Sequence, residues 1–269
     1  MRLPLVSLFA ALSLSVGSAA QAADDAPPPQ VEAWPLQQTG AVGTSIFFQD
    51  RAAARATDAL LARFDGKPPE GLIGWIVVPN GEDQLVRFLL GDPSAPRPGY
   101  DILVDKNGRA GAVMETADAA LPDDQAVRYY ARNTAASGIG QLRCAARYNA
   151  VVLDDPDGDG WLVWLLASTT DANKVPMGGH YRFHISADGR TVEKREQLSG
   201  GCLDLDRRQS GQNGQPVGLV TNVIVAPQPL EIHVFLSLLN RLPIYVAAGD
   251  KLWGVQGALI REIDTSQRR

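Results

Sequence analysis

The stretches VVPNGEDQLVRFLLGD (77–92) and GYDILVDKNGR (99–109) return later as VVLDDPDGDGWLVWLLAS (151–168) and HYRFHISADGR (180–190). Each pair reads as strand, turn, strand and then a hairpin tipped by glycine. Such self-similarity sets the architecture before any motif is interpreted. Before the first copy stand a short apolar-polar run, Thr44–Asp50, and a helical segment, RAAARATDALLARF (51–64). Before the second stands DDQAVRYYARNTAA (123–136), capped by Pro122-Asp123-Asp124 with acids in its first turn, where the helix dipole favours them.

Working outward, the first copy holds strands at GWIVV (74–78) and LVRFLL (85–90), and a hairpin, YDILVDKNGRAGAV (100–113). Asn107-Gly108 predicts a type I′ turn there, because that turn needs positive φ at both central residues. The second copy holds YNAVVL (148–153), WLVWLLAS (161–168) and a hairpin over 180–198 around Asp188-Gly189. Beyond Cys202 and a flexible stretch, DRRQSGQNGQPVG, five runs read as a β-meander. They are VTNVIVA (220–226), EIHVFLSLL (231–239), PIYVAA (243–248), KLWGV (251–255) and ALIREI (258–263). The class is α+β: two repeated helix-on-antiparallel-sheet units with a C-terminal β-meander extension.

The opening residues read as a secretory leader. Arg2 is the positive end, Leu3 to Val16 the apolar stretch, and Ala20-Gln21-Ala22 an A-x-A cleavage site. The expected organisation is a signal peptide (1–22), a disordered Pro-rich arm (23–43), a first repeat (44–118), a second repeat (119–202) and the C-terminal extension (203–269). The expected location is periplasmic or secreted, with no transmembrane segment after cleavage. A net charge of −5 argues against a nucleic-acid partner, which calls for a basic footprint. Cys144 and Cys202 are the two cysteines, and in an oxidising compartment they are expected to pair. Closing a loop of roughly 60 residues would stabilise the fold by about 4 kcal/mol.

The second helix, LPDDQAVRYYARNTA, followed by strands and a hairpin tipped with ADGR, resembles PepSY-type modules, and VDKNGR in the first copy is similar. These are cystatin-like α+β units found in exported bacterial proteins and protease propeptides. The resemblance covers residues 45–115 and 121–198, and implies a binding or inhibitory role without catalytic residues.

Three constellations could carry chemistry. Asp155, Asp157 and Asp159 form D-x-D-x-D-G, the first half of a calcium loop, but Leu166 stands where a bidentate acid would complete it. The segment reads either as a solvated acidic turn or as a weak Ca²⁺ site, the one cofactor in view. His180 and His184 have a zinc-like spacing, yet in a strand four residues span roughly 13 Å, too far for one metal. His180, Arg182 and His184 share a strand face, read either as solvated or as a cationic strip for a carboxylate or phosphate. With a two-residue turn at Asp188-Gly189, His184 would lie opposite Glu193 and Arg182 opposite Arg195. Trp161 and Trp164 point to opposite faces of one strand, either into core or, for one of them, into an apolar groove.

No nucleophile elbow, Walker motif or dinucleotide fingerprint occurs. The leading expectation is therefore an exported, non-catalytic binding protein of the bacterial envelope whose ligand is a peptide, protein or small molecule. Its alternatives are an envelope hydrolase with acids or His180/His184 between the repeats, and a calcium-stabilised structural protein.

Overall fold

The structure, a computed structural model, describes residues 30–116, 120–207 and 218–266. The leader and residues 23–29 of the predicted arm lie outside the described residues. The first unit pairs helix α1 (Leu36–Arg63) with an antiparallel sheet of β1 (Leu72–Asn80), β2 (Asp83–Asp92), β3 (Ala95–Val104) and the short β4 (Met114–Glu115), in that order. The second pairs α2 (Asp123–Gly138) with β5 (Arg147–Asp154), β6 (Trp161–Ser168), β8 (Tyr181–Ile185) and β9 (Val192–Gln197), also antiparallel. β7 (Lys174–Pro176) leaves that sheet to pair with β10 (Asp204–Asp206). The architecture is α+β.

The C-terminal extension is not a meander. β11 (Leu219–Val223) runs parallel to β12 (Ile244–Ala248), and the crossover between them is helix α3 (Glu231–Asn240). β13 (Lys251–Gln256) and β14 (Leu259–Ile263) complete an antiparallel flank. Parallel neighbours require such a crossover, and EIHVFLSLL supplies it as a helix buried along most of its length. Read alone, the run alternates Glu231, His233 and Ser237 with apolar residues, which is the period of a strand, and tertiary packing overrides it.

The arm is also corrected. Residues 36–43 are the first turns of α1, and Thr44–Asp50 continues the same helix. Residues 30–35 form an ordered strap: Val31 N–H donates to the Val225 carbonyl (2.9 Å), Gln228 Nε2 donates to the Trp34 carbonyl (2.6 Å), and Trp34 is buried. The Ala-rich half of α1 is helical by propensity and lays Ala52, Ala56 and Leu60 on the first sheet. Its first half is helical because it crosses α3. A Cβ built on Gly43 would stand 2.5 Å from both the Glu231 carbonyl oxygen and Val234 Cβ.

That contact reverses the sign of a simple substitution. Helix propensity alone makes Gly43→Ala favourable by about 1 kcal/mol. The overlap is with a main-chain oxygen and a β-carbon, neither of which can swing away. Gly43→Ala should instead destabilise by about 1–3 kcal/mol in urea unfolding.

The second sheet is the centre of the molecule. Val163, Tyr181, Phe183 and Ile185 face α2 with Ala131, Ala135 and Ile139. Leu162, Trp164 and Leu166 face the other way, into a core shared with the strap, α1 and α3. β6 is therefore core on both faces, as its aliphatic alternation predicts. The predicted Asn107-Gly108 turn is longer than type I′. Asp105 closes it by accepting from the Asn107 and Arg109 amides, and only Gly108 has positive φ. Cys144 and Cys202 are joined, with Cα atoms 5.1 Å apart.

Candidate functional site

Strand β8 keeps the predicted alternation, with Tyr181, Phe183 and Ile185 on the α2 face and Arg182 and His184 on the other. That second face is not solvated. Arg182 is fully buried, and the anions it receives belong to its own chain. The reason lies in one residue. At the tip the register is as the turn predicts, Ile185 opposite Val192, but a bulge at Glu193 shifts every pair beyond it. His184 therefore faces Lys194, and Arg182 faces Glu196 rather than Arg195.

Around Arg182 three other segments of the chain converge. Its Nε donates to Glu196 Oε2 (2.7 Å) on β9, one terminal nitrogen to Glu231 Oε1 (3.1 Å) on α3, and the other to the Glu32 carbonyl (2.7 Å) on the strap. The guanidinium lies 4.2 Å from the ring centre of Trp34, and Trp164 Nε1 donates to the same Glu231 oxygen (2.8 Å). Burial works against the Arg182 charge, but Glu231 and Glu196 outweigh it and hold its pKa above the usual value.

Glu196 is the matching hub. Oε2 accepts from Arg182 and from His184 Nε2 (3.0 Å); Oε1 accepts from the Glu32 amide (2.9 Å) and pairs with Lys194 Nζ (2.9 Å). Burial alone would raise this carboxyl. The bonds from His184 and Arg182, with the Arg182 charge, instead hold it far below the usual carboxylate range. Lys194, although its own partial burial opposes its charge, is held above the usual value by Glu196 and Glu32.

Glu32, His184 and Glu196 bring ligand-type atoms within 4.8 Å of one another. That set does not suit a cation, because each Glu196 oxygen already carries two N–H donors and two fixed cations stand beside it. The cluster is a clamp for the strap. Sequence reasoning placed Arg182 and His184 in one strip but missed Glu32, Lys194, Glu196, Glu231 and Trp34. The signal for Glu196 was the mixed charge of VEKREQ, legible only once the bulge is known.

The other candidate residues sit as follows. His180 is buried; its Nδ1 accepts the Ala167 amide (3.1 Å), so Nε2 carries the proton towards the Pro176 carbonyl (2.9 Å). Burial lowers its pKa to about 4, and that of His233, whose Nδ1 accepts the Leu230 amide, to about 4 as well. Trp161 packs beneath α2, its Nε1 donating to the Ala187 carbonyl (3.3 Å) with Arg128 over its ring, and so lines core rather than a groove. Asp155 accepts the Asp157 amide with one carboxylate oxygen and lies 3.8 Å from His184 Nδ1 with the other, while Asp157 and Asp159 are exposed.

The open feature beside the clamp is β9 itself, an edge strand paired, among the described residues, only with β8. The Leu198 amide donates to the His180 carbonyl, which makes 198 and 180 a hydrogen-bonded pair. Alternation then points the main-chain N–H and C=O of Arg195 and Gln197 outward, away from β8. On one face of this edge lies a cavity of about 500 Å³ walled by Lys194–Gln197, Val31, Ser199 and Val225. On the opposite face lies a cavity of about 250 Å³ lined by Arg143, Arg195, Gln141, Gln197, Tyr181 and Ile139.

No helix among the described residues is long and apolar enough to cross a membrane. No protein-family model matches the chain, and no curated protein matches it. Among solved structures, the Bacillus megaterium YpeB C-terminal domain is similar over 64% of this chain and 69% of its own, at 13% identity and a TM-score of 0.18. At that score the likeness carries no argument, and the PepSY-type resemblance stays what the sequence motifs imply.

Proposed function

We propose that the protein is an exported, non-catalytic binding module of the bacterial envelope, and that it takes an extended peptide segment as an added strand on β9. The observation that supports this reading is the free edge at Arg195 and Gln197 with a cavity on each face. In strand addition, main-chain bonds supply affinity, and side chains that alternate between faces need a pocket on each side. The clamp contributes by holding the strap in place as one wall of the larger cavity. Export is supported by the leader motif and by the joined cysteines.

β9 also resists pairing with itself. An antiparallel copy centred on Arg195 would set arginine against arginine, and charged edges of this kind discourage self-association. A different strand is the partner that this edge admits.

The test is Gln197→Pro. Proline is tolerated on an edge strand where its nitrogen faces solvent, so the β8–β9 ladder should survive. Phage-displayed random decapeptides would be panned on the full chain expressed for export. Enriched peptides should bind the parent and lose about tenfold in affinity on Gln197→Pro, the size of one main-chain bond. The melting temperature should stay unchanged. No enrichment, or equal binding to the proline variant, would overturn the reading.

A further inference from the structure

The smaller cavity beside β9 has a chemistry of its own. Arg143 makes no ion pair among the described residues, and Arg195 is engaged only by ring faces, its guanidinium 4.7 Å from the Tyr181 ring centre. Of the other charged groups at the edge, Lys194 is matched by Glu32 and Glu196 and Arg182 by Glu196 and Glu231, while Glu193, at the bulge, is exposed and lies outside this recess. Two guanidinium groups and two primary amides, Gln141 and Gln197, thus line one recess that contains no acid. Tyr181 and Ile139 form its apolar floor and hold the Arg195 plane in place. The recess lies on the α2 side of β9, the side towards which every second side chain of an added strand would point.

Resting on the strand-addition reading, we propose that this recess selects an acidic side chain, so that the partner is an extended segment with Asp or Glu facing Arg143 and Arg195. A planar guanidinium matches a carboxylate with two parallel N–H donors, which gives orientation as well as attraction. The opposite cavity has Val31 and Val225 in its wall, its Lys194 is already neutralised, and the Arg195 guanidinium lies over the Tyr181 ring on the other face, so it makes no such demand. The two faces therefore ask for different chemistry at alternate positions. The partner segment carries an acid at one position and is free of that demand at the residues on either side.

The experiment uses three pools of decapeptides, acetylated and C-terminally amidated so that side chains are the only carboxylates. One central position is fixed as Glu, Gln or Lys, and the rest are randomised over uncharged residues. Against the full chain the Glu pool should bind about tenfold more tightly than the Gln pool, and the Lys pool more weakly still. Raising the salt should narrow the gap. Arg143→Gln combined with Arg195→Gln should abolish the Glu preference while leaving sensitivity to Gln197→Pro, since both arginines are exposed and outside the clamp. Equal binding of the three pools with Gln197→Pro sensitivity intact would overturn the acid preference and leave strand addition standing. Binding indifferent to Gln197→Pro would overturn strand addition and this inference with it.

Discussion

Arg182→Met should lower the unfolding free energy by about 3–5 kcal/mol, the cost of removing one partner from a buried ion cluster. The substitution keeps most of the side-chain volume, so packing is not the cause. What remains is Glu196 and Glu231, both buried on β9 and α3, without the guanidinium that bonds each of them. The Glu32 carbonyl loses its donor at the same stroke. For a chain of this length the melting temperature should fall by roughly 10 °C. Amide exchange at Val31, whose N–H holds the strap to Val225, should accelerate. A triple variant, Arg182→Met with Glu196→Gln and Glu231→Gln, should recover part of the loss, because the uncompensated charges go with the arginine. If the single variant melts with the parent, the clamp contributes nothing and the account of the site fails.

Asp50→Asn should stabilise the protein at pH 8 by up to about 3 kcal/mol, an effect that vanishes below pH 4. Asp50 lies buried on α1 against β5, with one hydrogen bond, from Asn149 Nδ2 (3.0 Å). Burial raises its pKa from 3.8 to about 6, the Asn149 bond opposing only in part. Between those two values the native state holds the proton more tightly than the unfolded chain does. Stability therefore falls as pH rises through this window, and above it the full penalty of a buried carboxylate is present. Asparagine has the same shape and no charge, and the Asn149 amide can turn to meet it. His180 and His233 act in the opposite direction. Lowered to about 4, they stabilise fully above pH 6.5, and that contribution fades as pH falls towards 4. Their contribution is common to both proteins and drops out of the difference. Urea unfolding of the pair at pH 8, 6 and 4 reads it directly, and a variant less stable at pH 8 would refute the argument.

Much of the second unit was legible because its evidence is local. The acids and proline at the start of α2, the two-faced apolar run of β6 and the alternation of β8 all lie within a few residues of the structure they encode. Two helices were misread for the opposite reason. The first half of α1 holds glycines and β-branched residues that favour a loop or strand, and it becomes helical because Gly40 and Gly43 let it approach the 258 and 231 carbonyls. In EIHVFLSLL the polar residues Glu231, His233 and Ser237 fall at strand-like spacing, and their partners, which make the helix stable, lie far away in the chain or across the turn.

By itself the sequence determined which residues share a strand face, that Cys144 and Cys202 are the available pair, and where charge stands along VEKREQ. Only the tertiary structure decided that one of those faces is buried and that its arginine is matched. The bulge at Glu193 is a single residue of slip, and in a strand one residue exchanges the faces. It brings Glu196 to Arg182 and leaves Arg195 on the α2 side beside Arg143. The remaining partner, the Glu32 carbonyl, comes from 150 residues away. Burying a charge is stable only where partners converge on it, and no local pattern records a convergence made by segments so distant in the chain.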